Sequence, residues 1–300
     1  MNRQIIAIAI TVLFATSPAI AQERWYHKLG NWIQSEGWQM QDQLPTTHTK
    51  YLFQLGERSV IDEYLSPISH RGIEAKMSFL TDYKAPVNQS WHLYQEVVLF
   101  GANMKNPANN SQMYGIGLEY KLGPSWRVLR DKGLSVDLAP LFAMKAAGNF
   151  KLDNTNNIAN GKGSFGVDGW VRLRYQIPWN VLPLAISYSA QSSLLQGAFH
   201  PDYGQSYYDY ISGENGAKFV FHFGSLHNTL GIQQRLLIDL PINSFTVTLG
   251  AEHTYLSQRI SHTTYREGSW GVVLGFSFDV ASFSGNKSLK SSQIHSTLYR

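Results

Sequence analysis

The stretch from residue 197 to residue 210 contains the residue types that a hydrolase would need. His200, Asp202, Ser206 and Asp209 lie within ten residues of one another. Because a serine becomes nucleophilic beside a histidine that a carboxylate orients, the sharpest hypothesis is Ser206 activated by His200 and oriented by Asp202 or Asp209. The same stretch is rich in tyrosine, and a tyrosine-rich structural loop explains it better, because proximity in sequence does not establish the geometry of a triad.

Other residues that could take part in catalysis or metal binding form weaker patterns. Asp62 and Glu63 are adjacent, so on a strand they point to opposite faces, and a turn capped by Asp62 is a better interpretation than a pair of catalytic carboxylates. The ten histidines lack the compact spacing of a zinc site, so the sequence predicts neither a metal site nor a cofactor. The chain has no cysteine, which excludes disulfides, thiol chemistry and a lipid-bearing cysteine.

Residues 1–21 have the organisation of a secretory signal peptide. Arg3 precedes an apolar run from Ile5 to Phe14, and small residues at positions 19 and 21 predict cleavage between Ala21 and Gln22. The apolar run is too short to cross a bilayer as a helix. The formal net charge is only +4, and the basic residues are scattered along the chain, so we expect no nucleic-acid partner.

The mature chain shows a two-residue alternation that returns many times. In residues 167–177, Val171 and Leu173 alternate with Arg172 and Arg174, which puts apolar side chains on one face of a strand and charges on the other. Charged residues are 15% of the chain, against about 25% in typical soluble domains. The alternating segments are mostly about ten residues or longer, as in strands that cross a bilayer. The pattern therefore predicts an all-β, antiparallel, up-and-down transmembrane barrel with its apolar face toward lipid.

The predicted organisation divides the chain into four parts. After the signal peptide, residues 22–48 form an N-terminal periplasmic or plug segment, in which Trp25, Leu29 and Trp32 have helical spacing. The barrel occupies residues 49–281, and residues 282–300 are a C-terminal tail. Eleven strand segments are readable, and bacterial single-chain barrels have even strand numbers. A weaker strand at 205–212 brings the prediction to twelve, with ten and fourteen as alternatives.

Strand parity also predicts which charged side chains point into the barrel interior, here called the lumen. The inward set contains both signs: Glu74, Lys76, Glu119, Asp137, Asp168, Arg172, Arg174, Arg235, Glu252 and Asp279. In a narrow barrel such charges pair and close the lumen, whereas in a wider barrel they line a channel. The large inward residues Trp170, Gln233 and Arg235 favour a closed lumen.

Two segments resemble an uncharacterised family of Bacteroidota envelope proteins, classed as a domain of unknown function. The first is Ile61-Asp62-Glu63-Tyr64-Leu65-Ser66-Pro67, followed by Gly72, and the second runs from His200 to Asp209. The resemblance implies an exported, outer-membrane protein and supplies no activity and no catalytic residues. The chain departs from other barrels in two respects. The His-x-Ser-x-Gly motif of outer-membrane phospholipases is absent, and the chain ends in Tyr299-Arg300 instead of the terminal phenylalanine common in barrels.

The leading functional hypothesis is a non-enzymatic barrel in the outer membrane of a Gram-negative bacterium. It is either a narrow channel or a structural or ligand-binding envelope protein, in contact with membrane lipid and with a small solute. One alternative is an outer-membrane hydrolase of lipid or lipopolysaccharide that uses Ser206 and His200. The other is a soluble, exported β-sandwich, in which the same alternation would point its polar face to water.

Overall fold

The computed structural model describes residues 46–84, 90–154, 157–177, 184–199, 221–242, 245–260 and 263–281. These residues form eleven β-strands: β1 Thr46–Asp62, β2 Ser66–Lys84, β3 Trp91–Lys105, β4 Gln112–Asp131, β5 Leu134–Phe150, β6 Ala159–Ile177, β7 Leu184–Phe199, β8 Phe221–Ser225, β9 Thr229–Ile242, β10 Phe245–Ile260 and β11 Thr263–Ala281. Within the described ranges, no helix has the length and apolar character needed to cross a membrane.

The strands form a closed antiparallel meander. Each strand from β1 to β7 pairs with the next, and β11 closes the circle by pairing with β1 over seventeen residue pairs. Strands β8 and β9 share one position in the wall, because β8 pairs with the end of β7 at Leu195–Phe199 and β9 pairs with Ala185–Ser192 of the same strand. The predicted all-β, up-and-down barrel is confirmed. Its wall has ten strand positions, the eighth of which is interrupted.

The ten strand positions correct the predicted number of twelve strands and agree with the alternative prediction of ten. Strands β8 and β9 correspond to two of the eleven alternating segments, but they pair with the same neighbour, which makes them one position. The additional strand predicted at 205–212 lies outside the described residues. Strand β1 begins at Thr46, so residues 46–48 belong to the barrel and not to the N-terminal segment. The residues of this stretch are polar on both faces of the strand, so the apolar alternation that would predict a strand is absent there.

The two ends of the barrel differ. At one end, here called the terminal end, β1 begins, β11 finishes and the connections are short. The turn between β4 and β5 has two residues, Lys132 and Gly133, with φ of 42° and 85°. Such a turn matches the twist of the strands it joins, and glycine adopts positive φ at little cost. The opposite end, called the loop end, carries the two longest connections, 151–158 and 200–220.

The outer face of the wall is apolar. Exposed side chains along β11 are Trp270, Val272, Leu274 and Phe276, and other strands repeat this pattern. Aromatic side chains mark both ends of the outer face. Toward the terminal end Tyr51 stacks on Phe276, with ring centroids 5.1 Å apart. At the loop end Phe221 lies 6.0 Å from the ring of Phe165. An apolar belt between aromatic girdles is the exterior of a transmembrane β-barrel.

Candidate binding site in the barrel lumen

Ten charged side chains form a closed circuit inside the barrel. Five are glutamates and five are lysines or arginines, and they come from eight strands: Arg58 of β1, Glu74 and Lys76 of β2, Glu96 of β3, Glu119 and Lys121 of β4, Lys145 of β5, Arg235 of β9, Glu252 of β10 and Glu267 of β11. Each side chain contacts one opposite charge on either side. We call this circuit the charge ring.

One half of the charge ring runs from Arg58 to Arg235. The Nη1 atom of Arg58 donates to Glu74 at 2.7 Å, and Lys76 lies 3.9 Å from the other oxygen of Glu74. Lys76 in turn donates to Glu252 at 2.9 Å. The guanidinium of Arg235 lies 2.6 Å from Glu252. Four strands are thereby linked across the lumen by alternating charges.

The other half returns from Arg235 to Arg58. Arg235 donates to Glu96 at 2.7 Å, and Lys121 lies 3.5 Å from the same carboxylate. Glu119 forms ion pairs with two lysines, with Lys121 at 3.6 Å and with Lys145 at 3.4 Å. The last two links join Lys145 to Glu267 and Glu267 to Arg58. The charge ring is therefore neutral as a unit, and each of its buried charges is compensated.

An apolar layer lies next to the charge ring on its terminal side. Its buried members are Leu52, Leu80, Tyr94, Ala139, Leu141, Trp170, Leu237 and Val273. The rings of Tyr94 and Trp170 stack with centroids 4.7 Å apart near the barrel axis. Strand β3 shows the order of the layers, because its successive inward residues are His92, Tyr94 and Glu96. Large stacked side chains fill this level of the lumen.

A second set of charges lies beyond the apolar layer, toward the terminal end. Arg172 binds Asp82 at 3.0 Å and Asp137 at 2.9 Å, and Arg127 reaches the other oxygen of Asp137 at 3.0 Å. His92 lies 3.0 Å from Asp82. We call these five residues the terminal-side cluster.

Further pairs lie beside this cluster. Asp239 accepts from Lys50 at 2.7 Å, with Arg174 at 3.7 Å. His48 lies 2.9 Å from Asp279. The described part of the lumen thus contains two charged levels with an apolar level between them.

The loop end has its own packing around Asp62. The amides of Asn149 and Asn160 donate to the Asp62 carboxylate at 2.9 Å and 2.8 Å. The expected turn cap is therefore corrected: the carboxylate reaches across to β5 and β6, while its backbone oxygen accepts from Leu65 in the turn. Glu63 points away and accepts from the backbone N–H of Thr264.

A cavity of about 130 Å³ with both polar and apolar side chains in its lining adjoins the charge ring on the side of β6, β7, β9 and β10. Its polar lining includes Ser164, Asp168, Gln191, Ser193, Gln196, Gln233, Thr254 and Gln258. Glu119 and Lys145 are the most exposed members of the charge ring, each 23% exposed, and both line the cavity. An engineered cavity of about 150 Å³ holds benzene, so there is room here for one small ring.

The structure places all ten predicted lumen residues on the inner face and separates them into groups. Glu74, Lys76, Glu119, Arg235 and Glu252 belong to the charge ring. The terminal-side cluster contains Asp137 and Arg172, and the neighbouring pairs contain Arg174 and Asp279. Asp168 alone lies at the cavity without joining either group.

Several functional side chains were missed by the sequence analysis. They are Lys50, Arg58, Asp82, His92, Glu96, Lys121, Lys145, Asp239 and Glu267. Extending the parity of each strand to its full length would have found them. On β11, for example, Glu267 has the same parity as Asp279 and lies on the same face.

The predicted hydrolase residues His200, Asp202, Ser206 and Asp209 lie outside the described residues. Within the described ranges, no group of three or more His, Asp or Glu side chains is placed to hold a metal ion. Among the described residues, the candidate site is therefore the cavity beside the charge ring, whose charges sum to zero. Such a site can bind and orient a small polar molecule.

Solved structures with a similar chain path are outer-membrane barrels of low sequence identity. The outer membrane protease OmpT from Escherichia coli is 7% identical, with a TM-score of 0.45, and the match covers 79% of this chain and 97% of that one. The transport unit of the autotransporter AIDA-I from Escherichia coli is 10% identical, with a TM-score of 0.40, over 86% and 97%. The β domain of the Bordetella autotransporter BrkA is 10% identical, with a TM-score of 0.39, over 80% and 100%.

Sequence comparison identifies the family. None of the curated proteins matches the chain at a significant level. A family model described as "Protein of unknown function (DUF3316)" matches residues 6–287. This match confirms the expected relation to an uncharacterised domain family, whereas an origin in Bacteroidota stays a prediction. The chain belongs to the DUF3316 family.

Proposed function

We propose that this protein is a non-enzymatic outer-membrane β-barrel of a Gram-negative bacterium, whose closed lumen holds a binding site for a small polar solute. Membrane lipid surrounds the apolar belt, and the solute occupies the cavity beside the charge ring. Of the functions that the sequence leaves open, ligand binding fits the lumen better than a narrow channel.

The observation that carries this proposal is the sequence of levels in the lumen. Stacked Tyr94 and Trp170 lie between the charge ring and the terminal-side cluster. An ion that crossed would have to break paired charges and then pass an apolar level, and both steps are costly. The cavity lies on the loop side of this obstruction, so a molecule bound there meets a closed floor.

The first experiment is a conductance measurement on the full-length protein in planar bilayers. Incorporated protein should give no steady current at any applied voltage, because the paired lumen charges leave no continuous path. A general porin in the same membranes provides the control that insertion and detection work. Reproducible open steps from this protein would overturn the closed lumen and restore the channel hypothesis.

The membrane location has a separate test. Fractionation of the native envelope should recover the protein in the outer membrane, and an unheated sample should migrate faster on a gel than a heated one. A soluble protein in the periplasm or medium would contradict the proposal and favour the β-sandwich alternative. The contacts of the described residues do not support the hydrolase alternative, whose residues His200 and Ser206 lie outside the described part of the chain.

A further inference from the structure

Asp168 differs from the other carboxylates that point into the lumen. Within the described residues, each of the others has a Lys, Arg or His nitrogen within 4 Å: Asp62, Glu74, Asp82, Glu96, Glu119, Asp137, Asp239, Glu252, Glu267 and Asp279. Asp168 has a neutral partner instead, the side-chain amide of Gln191, which donates to it at 2.5 Å. Its neighbour across the strand pair is Ser193.

This carboxylate lies where a bound molecule would meet it. Asp168 lines the cavity, and the charge ring beside it is neutral because its five cations match its five glutamates. The cations of the cavity lining, Arg58, Lys76, Lys121 and Lys145, all pair with glutamates of the charge ring, so Asp168 is the carboxylate of the lining that has no cation within 4 Å. Keeping a carboxylate in an enclosed site without a cation is unfavourable, and a cationic ligand would remove that cost.

The rest of the pocket wall indicates what else the ligand carries. Amides of Gln191, Gln196, Gln233 and Gln258 and hydroxyls of Ser164, Ser193 and Thr254 line the same cavity. Amides and hydroxyls both donate and accept hydrogen bonds, so they suit a ligand with several hydroxyl groups. The volume of about 130 Å³ limits the ligand to one small ring or a chain of similar size.

We propose that the cavity binds a small hydroxylated solute that carries a protonated primary amine, and that Asp168 recognises the amine. This inference rests on the proposed function and adds the chemical class of the solute. The ammonium group occupies the open side of Asp168, while Gln191 holds the carboxylate in place from the other side. The hydroxyl groups contact the glutamine amides.

Glucosamine and glucose are the probes that test this proposal. They differ only in an amine that replaces one hydroxyl, so a difference in affinity reports on the charge. Binding to the full-length protein, purified in detergent, is measured by calorimetry at a pH where the amine is protonated. Glucosamine should bind about tenfold more tightly than glucose, because hydrogen bonds to charged groups are stronger than neutral ones.

Asp168→Asn is the matching variant, since it keeps the shape and removes the charge. It should weaken glucosamine binding about tenfold and glucose binding much less, so that the two probes bind the variant with similar affinity. Asp153→Asn, in the connection after β5 and away from the cavity, should change neither affinity. Heat-modified migration shows whether each variant is folded. The two probes are also compared on the unaltered protein. The proposal can therefore be tested even if the variant does not fold.

Each remaining outcome has a defined meaning. Equal affinity for the two probes would overturn the role of the amine while leaving the solute site of the proposed function in place. Glucosamine binding that Asp168→Asn does not weaken would overturn the role of Asp168. If neither probe binds, the amine inference fails, and a silent bilayer recording would then reduce the proposed function to a closed structural barrel.

Discussion

At the scale of single residues, the charge ring shows how ten buried charges can coexist. Each glutamate contacts two cations and each cation contacts two glutamates, with Arg235 between Glu96 and Glu252 as one example. Buried ion pairs gain little when compared with an apolar replacement, but removing one partner leaves buried charge uncompensated. We infer that the charge ring specifies the arrangement of the strands around it and tolerates loss of a member poorly.

Replacing Arg235 with methionine tests this inference. The change keeps the volume but leaves Glu96 and Glu252 each short of one cation, so we expect unfolding to become easier by about 3–5 kcal/mol. Urea unfolding of the refolded protein in lipid, followed by the change in gel migration, gives the free energy.

The control is Asp153→Asn, which removes the partner of Lys151 in the connection after β5, outside the wall of the barrel. Solvent-exposed ion pairs contribute little to stability, so this variant should unfold like the unaltered protein. If both variants unfold alike, the charge ring is not the stabilising network described above.

At the scale of elements, the eighth position of the wall is the irregular one. Pairing of β7 with β9 ends at Ser192 and Ile232, and pairing with β8 begins at Leu195 and Ser225. Residues 226–231 of the facing chain thus lie opposite only two residues of β7. The extra residues form a turn, in which the N–H of Asn228 donates to Ser225. The interruption lies beside the cavity, since Ser193 and Gly231 are part of its lining.

Hydrogen exchange of the backbone amides should reveal this interruption. Peptides that contain residues 193–195 or 226–231 should exchange faster than peptides from residues 246–258, where β10 is paired on both sides. The reason is that amides without a continuous ladder open locally at lower free energy. Mass spectrometry of the protein in lipid measures the rates. Equal protection across both regions would show that the eighth position is as stable as its neighbours.

At the scale of the whole molecule, polarity is distributed opposite to that of a soluble protein. Phe53 and Leu55 of β1 are exposed, while Arg58 of the same strand is buried. With charges inside and large apolar side chains outside, the barrel fits a surrounding of lipid.

Two leucines with almost equal exposure test the membrane interpretation. Leu55 is 65% exposed in the middle of β1, and Leu152 is 67% exposed in the connection after β5. Leu55→Arg should destabilise the barrel in lipid by about 2–4 kcal/mol, because it places a charge at the depth of the hydrocarbon. Leu152→Arg should have little effect.

Refolding yield into lipid vesicles, read from the fast-migrating band on a gel, compares the two variants. In a soluble protein both positions would face water, and both arginines would be tolerated. Equal tolerance would therefore argue against a membrane barrel and for the soluble alternative.

The sequence by itself determined the class of fold and, for part of the charged side chains, the face of the strand on which they lie. Alternation with period two is a local property of a strand, so residues such as Glu74 and Arg172 could be assigned to the inner face from their immediate neighbours. Low charge and long alternating segments then indicated a barrel in a membrane. The first residues of β1 were not predicted as a strand, because these polar residues do not alternate with apolar ones.

Only the tertiary structure decided which strands meet and which charges pair. The link between Arg58 and Glu267 joins residues 209 positions apart, and that contact depends on closure of β11 onto β1. The strand count depended in the same way on β8 and β9 pairing with one neighbour. The choice of Gln191, and of no cation within 4 Å, as the partner of Asp168 follows from register across the barrel. Local patterns fix the direction of a side chain, whereas its partner is set by long-range pairing, on which they carry no information.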